Sequence, residues 1–468
     1  MQKRDVDVTI IGAGLTGLTT AFYLAKAGKR VAVIEKEERV GGVIRTRRND
    51  GFIFESGPNT GVYSSPDLVR LFDDLEGTCE PVFANSSAKQ RWIWKKGRWH
   101  ALPSGPVSAV RTPLFTMKDK VRILGEPFRE KGRVKEESVA GLVRRRMGKS
   151  FLDYAVDPFI SGIYAGDPEL LITEYALPKL HRLEQDYGGF IRGAIAKRKE
   201  PKDELTRRAT REVFSVKGGL QELTEGLAEQ IGREQICLSA SGLNVIRKDK
   251  KYRAKFMKDN LQREVVSDHV VSTVSGNATK KIFSFISENE LRPILNLRYA
   301  KVVQAVALYE KWPGIPVNAF GGLIPSREER SALGILFPSS IFPGRAPEGG
   351  AILSVFMGGI RKPEFIEMDD KEIGQIALDE IRSTLDTGSQ SPDHLHIYRY
   401  PYAIPQYEKS SGERFRAIAQ LESQYPGLTL AGNIRDGIGM ADRVKQGYAS
   451  AQKIIREAQE KIIRQSDE

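Results

Sequence analysis

Three glycines and one acidic residue near the start of the chain have the types and the spacing of a nucleotide-binding turn. Gly12, Gly14 and Gly17 follow an apolar run that ends at Ile11, and Glu35 ends a later apolar run, 18 residues after Gly17. The glycines allow a tight turn and let the backbone approach a pyrophosphate, which the N–H groups of the following helix would bind. The carboxylate of Glu35 would accept hydrogen bonds from a ribose hydroxyl. This strand, turn, helix and second strand therefore predict a dinucleotide site.

A pair of glycines after this unit narrows the choice of dinucleotide. Gly41 and Gly42 come six and seven residues after Glu35 and are followed by Arg45 and Thr46. Without a Cβ the chain can cross close to a cofactor. The pattern resembles an extension found in FAD enzymes of the amine-oxidase and phytoene-desaturase superfamily, which nicotinamide dehydrogenases usually lack. It therefore predicts FAD, with contacts in this region from Gly12, Gly14, Leu15, Thr16, Gly17, Glu35, Lys36, Gly42 and Val43.

The composition is that of a globular protein long enough for two or three domains. The chain has 468 residues and two cysteines, Cys79 and Cys237, which cannot form a disulfide framework and favour a reducing compartment. The spacing of the five histidines offers no metal site, and we interpret His394 and His396 as neighbours on one face of a strand. No apolar run reaches the roughly 18 residues of a membrane span. We expect a cytoplasmic protein, either free or peripheral on the cytoplasmic face of the membrane.

The net charge of +12 is distributed unevenly along the chain. The stretch Arg111–Lys149 contains twelve basic residues and only five acidic ones. Apolar residues are interleaved with these cations, so the stretch could lie on an anionic membrane surface. Two alternatives are steering of an anionic substrate and a solvated basic face of a helical subdomain. We expect no nucleic-acid partner, because no recognition module accompanies the charge. The basic residues are Arg111, Lys118, Lys120, Arg122, Arg129, Lys131, Arg133, Lys135, Arg144, Arg145, Arg146 and Lys149.

The order of apolar runs and breaks predicts an α/β fold built on a discontinuous cofactor domain. The predicted Rossmann-type, glutathione-reductase-like FAD domain comprises residues 1–88, 206–289 and 411–468. A helical insertion, which could face a membrane, covers 89–205, and its end from 197 to 211 is predicted to be an exposed link. A mixed-sheet substrate domain covers 290–410.

Four further segments resemble one family within that superfamily, the protoporphyrinogen oxidases. They are His100–Gly105, Phe159–Pro168, Lys217–Leu220 and Tyr402–Tyr407. The similarity runs in order from Val8 to the last helix. It implies the oxidation of protoporphyrinogen IX to protoporphyrin IX by FAD, in three two-electron steps with O2 as acceptor and hydrogen peroxide as product.

The resemblance also assigns roles to single residues. Arg91 matches an arginine that pairs with a substrate propionate, Gly162 lines the cavity, and three apolar side chains, Leu323, Leu336 and Phe356, sandwich the rings. From the pattern alone these three would be plain core residues, and Arg91 a surface arginine. Asn59 is either a turn residue or part of the catalytic face. The remaining flavin contacts implied by the resemblance are Gly57, Pro58, Asn59, Thr60, Leu243, Asn433, Ile438, Gly439 and Met440.

The sequence contains no convincing acid–base or nucleophile constellation, and this substrate needs none. Its meso carbons lie between pyrroles whose nitrogen lone pairs stabilise the cation left by hydride loss. Catalysis would consist of positioning, with hydride transfer to the flavin N5. A sister activity, oxidation of coproporphyrinogen III to coproporphyrin III, is the nearest alternative, and a non-catalytic porphyrin carrier is another. The natural acceptor, O2 or a quinone, and the oligomeric state stay open.

Overall fold

The computed structural model describes residues 2–132 and 134–466. From residue 2 to 101 its elements are β1 (Gln2–Asp5), β2 (Val8–Ile11), α1 (Leu15–Lys26), β3 (Val31–Ile34), β4 (Thr46–Asn49), β5 (Phe52–Glu55), β6 (Gly61–Val62), α2 (Pro66–Asp74), β7 (Pro81–Phe83), β8 (Trp92–Lys95) and β9 (Arg98–Ala101). A helical region follows, with α3 (Pro106–Arg111), α4 (Met117–Leu124), α5 (Val139–Arg146), α6 (Lys149–Phe151), α7 (Asp157–Tyr164), α8 (Thr173–Ala176), α9 (Pro178–Tyr187), α10 (Phe190–Lys199) and α11 (Glu204–Arg208).

The second half of the chain returns to mixed structure. Up to residue 295 it forms β10 (Val213–Val216), α12 (Gln221–Ile231), β11 (Ile236–Cys237), β12 (Ser241–Lys248), β13 (Lys251–Lys258), β14 (Leu261–Ser267), β15 (His269–Ser272), α13 (Gly276–Ile282) and α14 (Glu288–Leu295). The last part contains β16 (Tyr299–Tyr309), β17 (Gly321–Leu323), β18 (Ala332–Leu336), α15 (Pro338–Ile341), β19 (Ala351–Gly358), α16 (Asp370–Leu385), β20 (His394–Pro405), α17 (Ser411–Gln424), β21 (Leu428–Leu430) and α18 (Met440–Ser466).

A parallel sheet of order β11-β3-β2-β15-β21 carries the predicted cofactor turn. Every residue of β2, β3 and β21 is buried, as expected for a parallel sheet covered on both faces. α1 and α18 pack against each other beside this sheet and share one hydrophobic core. The sheet therefore joins strands from the beginning, middle and end of the chain, as a discontinuous cofactor domain requires.

A second sheet of seven strands, in the order β20-β16-β19-β18-β17-β8-β9, forms the other large layer. α16 packs on one of its faces through an apolar core. Here the structure departs from the predicted helical pattern of 89–205, because β8 and β9 form a hairpin that extends this sheet. Lys96 and Gly97, with φ of +50° and +79°, form the two-residue turn between the strands, and such a left-handed pair is typical of a tight hairpin.

The helical region α3–α11 is held together internally by charged side chains. Arg146 is fully buried and forms ion pairs with Glu126 at 2.6 Å and with Glu184 at 2.7 Å. Glu126 also accepts hydrogen bonds from the first N–H groups of α10, at 2.8 and 3.1 Å. The predicted link at 197–211 is largely exposed, but it contains the short helix α11. None of the helices in the described ranges is long and apolar enough to cross a membrane.

Candidate functional site

The glycine turn lies where β2 ends, in the geometry that its spacing predicts. Gly12 has φ +99°, and a Cβ on Gly17 would lie 2.0 Å from the carbonyl oxygen of Gly12. A Cβ on Gly14 would meet no protein atom within 4 Å, so this residue faces open space. The turn thus needs glycine at Gly12 for its conformation and at Gly17 for close packing, and it presents bare backbone at Gly14.

The first turn of α1 fits a phosphate ligand. Leu15 and Thr16 begin the helix immediately after Gly14, and both are buried. The hydroxyl oxygen of Thr16 is buried without a hydrogen-bond partner among the described residues. Unpaired N–H groups and a partial positive charge at a helix N-terminus attract anions. The residues present therefore fit the pyrophosphate of a dinucleotide.

Glu35 lies at the end of β3, beside the glycine turn. Its carboxylate accepts hydrogen bonds from the Ala13 N–H at 2.7 Å and from the Glu37 N–H at 3.0 Å. Each carboxylate oxygen keeps a second lone pair for a ribose hydroxyl. The neighbouring Lys36 is exposed and pairs with Glu37 at 3.2 Å. Leu243 lies nearby on β12, whose preceding residue Ala240 donates its N–H to the Glu35 carbonyl.

The paired glycines cross the turn at close range. A Cβ on Gly42 would lie 3.3 Å from the Cα of Gly14, and Gly42 has φ +58°. Arg39, which the sequence did not single out, donates hydrogen bonds to the carbonyls of Val40, Gly42 and Ile44 at 2.6–2.9 Å. The Arg39 guanidinium therefore holds the backbone around Gly41 and Gly42 in place.

Val43 connects the paired glycines to the next predicted flavin contact. Its side chain is exposed, and its carbonyl oxygen would lie 2.1 Å from a Cβ on Gly57. Gly57 has φ +136° and begins the segment Gly57–Thr60 between β5 and β6. Pro58 and Thr60 are half-buried and Asn59 is buried. The structure thus brings Val43 and Gly57 together, 14 residues apart in the sequence.

The C-terminal turn reaches the same sheet edge as the N-terminal turn. Thr273, directly after β15, contacts both turns: its hydroxyl donates to the Ile11 carbonyl at 2.9 Å, and its carbonyl would lie 2.5 Å from a Cβ on Gly432. Asn433 then accepts a hydrogen bond from the Tyr299 hydroxyl at 3.3 Å. Burial raises the pKa of Tyr299 to about 12, against a lowering hydrogen bond from the Gly276 N–H, so its hydroxyl stays a donor at neutral pH.

The end of this turn leads into α18. Ile438 packs against the core of the helical region, which includes Tyr164 and Tyr407. The N–H of Gly439 donates to the Asp442 carboxylate at 3.1 Å, and the buried Met440 begins the helix. The C-terminal turn therefore connects the core of the helical region to the start of α18.

One face of the seven-stranded sheet carries the predicted apolar wall. In the strand register, Leu323 on β17 lies opposite Gly334 on β18, which lies opposite Phe356 on β19. Directly paired residues share a sheet face, and a Cβ on Gly334 would lie 3.1 Å from a Leu323 methyl carbon, so Leu323 packs over Gly334 on this face. Leu336 is two residues from Gly334 and belongs to the same face. All three apolar side chains are half-buried rather than sealed in the core.

This wall faces the segment that begins at Gly57. Gln304 on β16 is paired with Phe356, and its side-chain oxygen accepts the Gly57 N–H at 3.1 Å. Ser354, two residues before Phe356, donates its hydroxyl to the Asn59 side-chain oxygen at 3.0 Å. The predicted substrate and flavin contacts thus lie on facing surfaces.

Gly162 on α7 touches the wall directly. A Cβ there would lie 2.4 Å from a methyl carbon of Leu323. α7 continues a π-helical turn at Leu152–Val156 and ends at Ala165, a non-glycine residue with φ +46°. Such irregular turns are frequent at functional sites. The structure therefore brings together Gly162 and Leu323, which are distant in sequence.

The motif after Gly162 is anchored to the sheet by polar side chains. Arg361 donates to both Asp167 oxygens at 2.9 and 3.0 Å and to Asp157 at 2.7 Å. The side chain of Gln406 donates to the Tyr164 carbonyl at 2.9 Å. Asp167 and Gln406 therefore act as structural residues within two of the four segments that carried the resemblance.

Arg91 lies just before β8 and is exposed. Its guanidinium stacks 5.2 Å from the ring centre of Phe320, and no carboxylate of the described residues forms an ion pair with it. A stacked arginine without an anionic partner keeps its charge available for a ligand carboxylate.

Known proteins are similar to this chain over nearly its whole length. Among curated proteins, the chain is 29% identical to "Protoporphyrinogen oxidase 2, chloroplastic/mitochondrial" of Arabidopsis thaliana, over 96% of this chain and 93% of that protein. It is 26% identical to "Coproporphyrinogen III oxidase" of Bacillus subtilis (strain 168), over 96% of this chain and 98% of that protein.

Among solved structures, one from Exiguobacterium sp. 255-15, whose own assignment as a protoporphyrinogen oxidase is provisional, superposes with a TM-score of 0.79 at 24% identity. The match covers 97% of this chain and 99% of that one. The sequence model of the flavin containing amine oxidoreductases matches residues 15–455, nearly the whole chain. The chain therefore belongs to the family of flavin containing amine oxidoreductases, which confirms the resemblance and the predicted cofactor, FAD.

Proposed function

We propose that this oxidoreductase converts protoporphyrinogen IX to protoporphyrin IX. The observation that carries the proposal is the half-buried apolar wall of Leu323, Leu336 and Phe356, which faces the Gly57–Asn59 segment. Such a wall suits a large apolar ring system better than a small polar amine. The names of the similar proteins support a porphyrinogen as the substrate.

The residues of the chain act in this reaction by positioning. FAD, held by the glycine turn, Glu35 and the C-terminal turn, would supply the hydride acceptor for a meso carbon of the substrate. Leu323 and Phe356 would hold the ring edge against the apolar wall, and Arg91 would orient one propionate through a charge-assisted pair. The pyrrole N–H protons leave to water or to backbone carbonyls, so no side chain is required as a base. Three such oxidations remove six electrons, with O2 as the acceptor and hydrogen peroxide as the product.

The test is a comparison of two substrates. Protoporphyrinogen IX and coproporphyrinogen III are supplied separately to the purified yellow protein, and porphyrin fluorescence is followed over time. We expect a higher kcat/KM for protoporphyrinogen IX. A higher value for coproporphyrinogen III would assign the sister activity, which the Bacillus subtilis relative favours. A protein that takes up no FAD would refute the enzymatic proposal and favour a non-catalytic carrier.

Arg91 tests the orientation of the substrate. Arg91→Ala is expected to raise KM for protoporphyrinogen IX by about tenfold, the equivalent of ~1.4 kcal/mol, because one exposed charge pair is lost. FAD content should not change. Arg98→Ala is the matched control, since Arg98 is an exposed arginine on the same hairpin. Equal KM values for the two variants would refute the proposal that Arg91 binds a substrate propionate.

We also propose that the 89–205 region touches an anionic membrane surface. On α4, Met117, Val121 and Leu124 share one helix face and are exposed, and Leu124 and Phe128 are 75% and 83% exposed. Exposed apolar side chains in such a patch are typical of interaction surfaces. Two of the twelve basic residues are not available, since Arg145 and Arg146 form internal ion pairs. Arg133 lies outside the described residues.

Flotation with vesicles of phosphatidylcholine and phosphatidylserine tests this surface. We expect the wild-type protein to float with the vesicles at low salt. The double variant Leu124→Ser/Phe128→Ser should remain in the bottom fraction of the gradient. Leu261→Ser, which removes an exposed leucine from β14, is the control and should float. A wild-type protein that does not float would refute the membrane proposal. If the wild-type protein does not float, we propose that it is free in the cytoplasm.

A further inference from the structure

A set of hydrogen bonds joins the sheet that carries the apolar wall to the segment Gly57–Thr60, which is predicted to contact the flavin. The Gln304 carboxamide accepts the Gly57 N–H at 3.1 Å and donates to the Glu55 carbonyl at 2.9 Å and to the Ser354 hydroxyl at 3.4 Å. Ser354 donates to the Asn59 oxygen at 3.0 Å, and the Asn59 amide returns to the Gly57 carbonyl at 3.0 Å. We propose that Gln304 and Ser354 are positioning residues that set the distance between the apolar wall and the flavin. This inference rests on the proposed function.

The site of these two residues in the sheet supports the assignment. Gln304 is fully buried in β16, between Val303 and Ala305, which are also fully buried. Ser354 is fully buried in β19. A polar side chain in a buried strand costs free energy unless all its groups are paired. Besides its contact with Ser354 on the neighbouring strand, the Gln304 side chain pairs only with Glu55 and Gly57, so its polar groups connect the sheet to the segment after β5.

Only a carboxamide satisfies the contacts of position 304. The Gly57 N–H needs an acceptor and the Glu55 carbonyl needs a donor, so the side chain must present both within one planar group. A glutamate would direct a second oxygen at the Glu55 carbonyl, and a methionine would leave the Gly57 N–H without a partner. The same pairing fixes the orientation of the Gln304 amide.

These contacts tie the flavin segment to the neighbours of Phe356. Gln304 is paired with Phe356 in the strand register, and Ser354 is two residues from Phe356 on the same face. A shift of the segment at Gly57 would therefore change the separation between the wall and the flavin. A misplacement of about 1 Å between reacting groups can cost on the order of 10²-fold in rate.

The experiment compares Ser354→Ala and Gln304→Met with wild-type protein, all loaded with FAD. Thr384→Val is the control, because it removes a buried hydroxyl from α16 that donates to the Glu380 carbonyl. The readouts are FAD content, the visible circular dichroism of the bound flavin, and kcat and KM for protoporphyrinogen IX. Ser354→Thr, which keeps a hydroxyl, serves as the conservative variant.

We expect both test variants to retain FAD but to change the visible circular dichroism and to lower kcat tenfold or more, with KM within about threefold. Ser354→Thr should restore much of the wild-type kcat. A purely structural role would lower the melting temperature and leave kcat and the flavin spectrum as in Thr384→Val, and this result would overturn the proposal. If the Gln304→Met variant does not fold, the Ser354→Ala variant alone tests the positioning role. If wild-type protein oxidises no porphyrinogen, the proposed function fails, and the flavin spectrum alone decides the positioning role.

Discussion

Replacement of Gly162 by alanine tests the contact between α7 and the substrate wall. The new Cβ would lie 2.4 Å from a Leu323 methyl carbon, where ordinary contact begins near 3.4 Å. Leu323 must therefore shift by about 1 Å, and since its methyl group already packs over Gly334, this shift changes the shape of the apolar wall. Alanine gains about 1 kcal/mol over glycine in a helix, and overpacking costs about 1–3 kcal/mol. The net loss of stability should therefore stay below about 2 kcal/mol.

The effect on activity should be much larger than the effect on stability. A Leu323 side chain displaced by about 1 Å occupies the place of the substrate ring edge, so we expect kcat/KM for protoporphyrinogen IX to fall by about 10- to 100-fold. The assay follows porphyrin fluorescence, and calorimetry gives the melting temperature. FAD content should remain unchanged.

Two further variants separate the wall contact from a general helix effect. Gly226→Ala also adds a methyl group to a helical glycine, with its nearest neighbour atom at 3.1 Å on Thr78, and should keep wild-type kcat/KM. The double variant Gly162→Ala/Leu323→Ala removes the clash and should recover part of the loss. A wild-type kcat/KM in Gly162→Ala would refute the assignment of Gly162 and Leu323 to the substrate cavity.

Three other predictions concern the cofactor turn and the helical region. Gly17→Ala should yield folded protein without the yellow colour of FAD, because the new Cβ meets the Gly12 carbonyl oxygen at 2.0 Å; a yellow variant would contradict the turn geometry. Arg146→Ala removes the ion-pair partner of the buried Glu126 and one of the two ion-pair partners of Glu184, so denaturant titration should show a loss of about 3–5 kcal/mol, and a loss below ~1 kcal/mol would argue against this core. Burial alone would raise the pKa of Glu184, but hydrogen bonds from Arg145, the Gly132 N–H and Arg146 outweigh it and lower the pKa. The stabilisation is therefore complete above the ordinary glutamate pKa and is lost as pH falls through the lowered one; an equally steep acid loss in Glu184→Gln would contradict this.

The cofactor turn could be predicted from sequence because its residues respond to local backbone demands. Gly12 needs a positive φ, Gly17 must approach a backbone carbonyl, and Glu35 closes a strand beside them. Each of these requirements selects one residue type at a fixed position, so the turn can be recognised from the spacing of these residues. The roles of Arg91, Gly162 and Leu323 came from the resemblance, since nothing in their local pattern separates them from ordinary surface, helix or core residues.

The parts that the sequence did not reveal depend on long-range pairing. The hairpin β8–β9 joins the sheet through β17, which is more than 220 residues away in the chain. Gln304 contacts Gly57 across a similar distance. One signal was present, because a glutamine in the apolar run Val302–Tyr309 must find buried partners. Such a signal indicates that partners exist but does not identify them.

The most direct test of porphyrinogen oxidation is an anaerobic titration of the FAD-loaded protein with protoporphyrinogen IX. Without O2 the reduced flavin is not re-oxidised, so its visible absorbance reports the reaction with the substrate itself. We predict that the absorbance bleaches as porphyrin fluorescence appears, with three flavins reduced for each porphyrin formed. A flavin that stays oxidised with both protoporphyrinogen IX and coproporphyrinogen III, but is bleached by a primary amine, would contradict the proposed function.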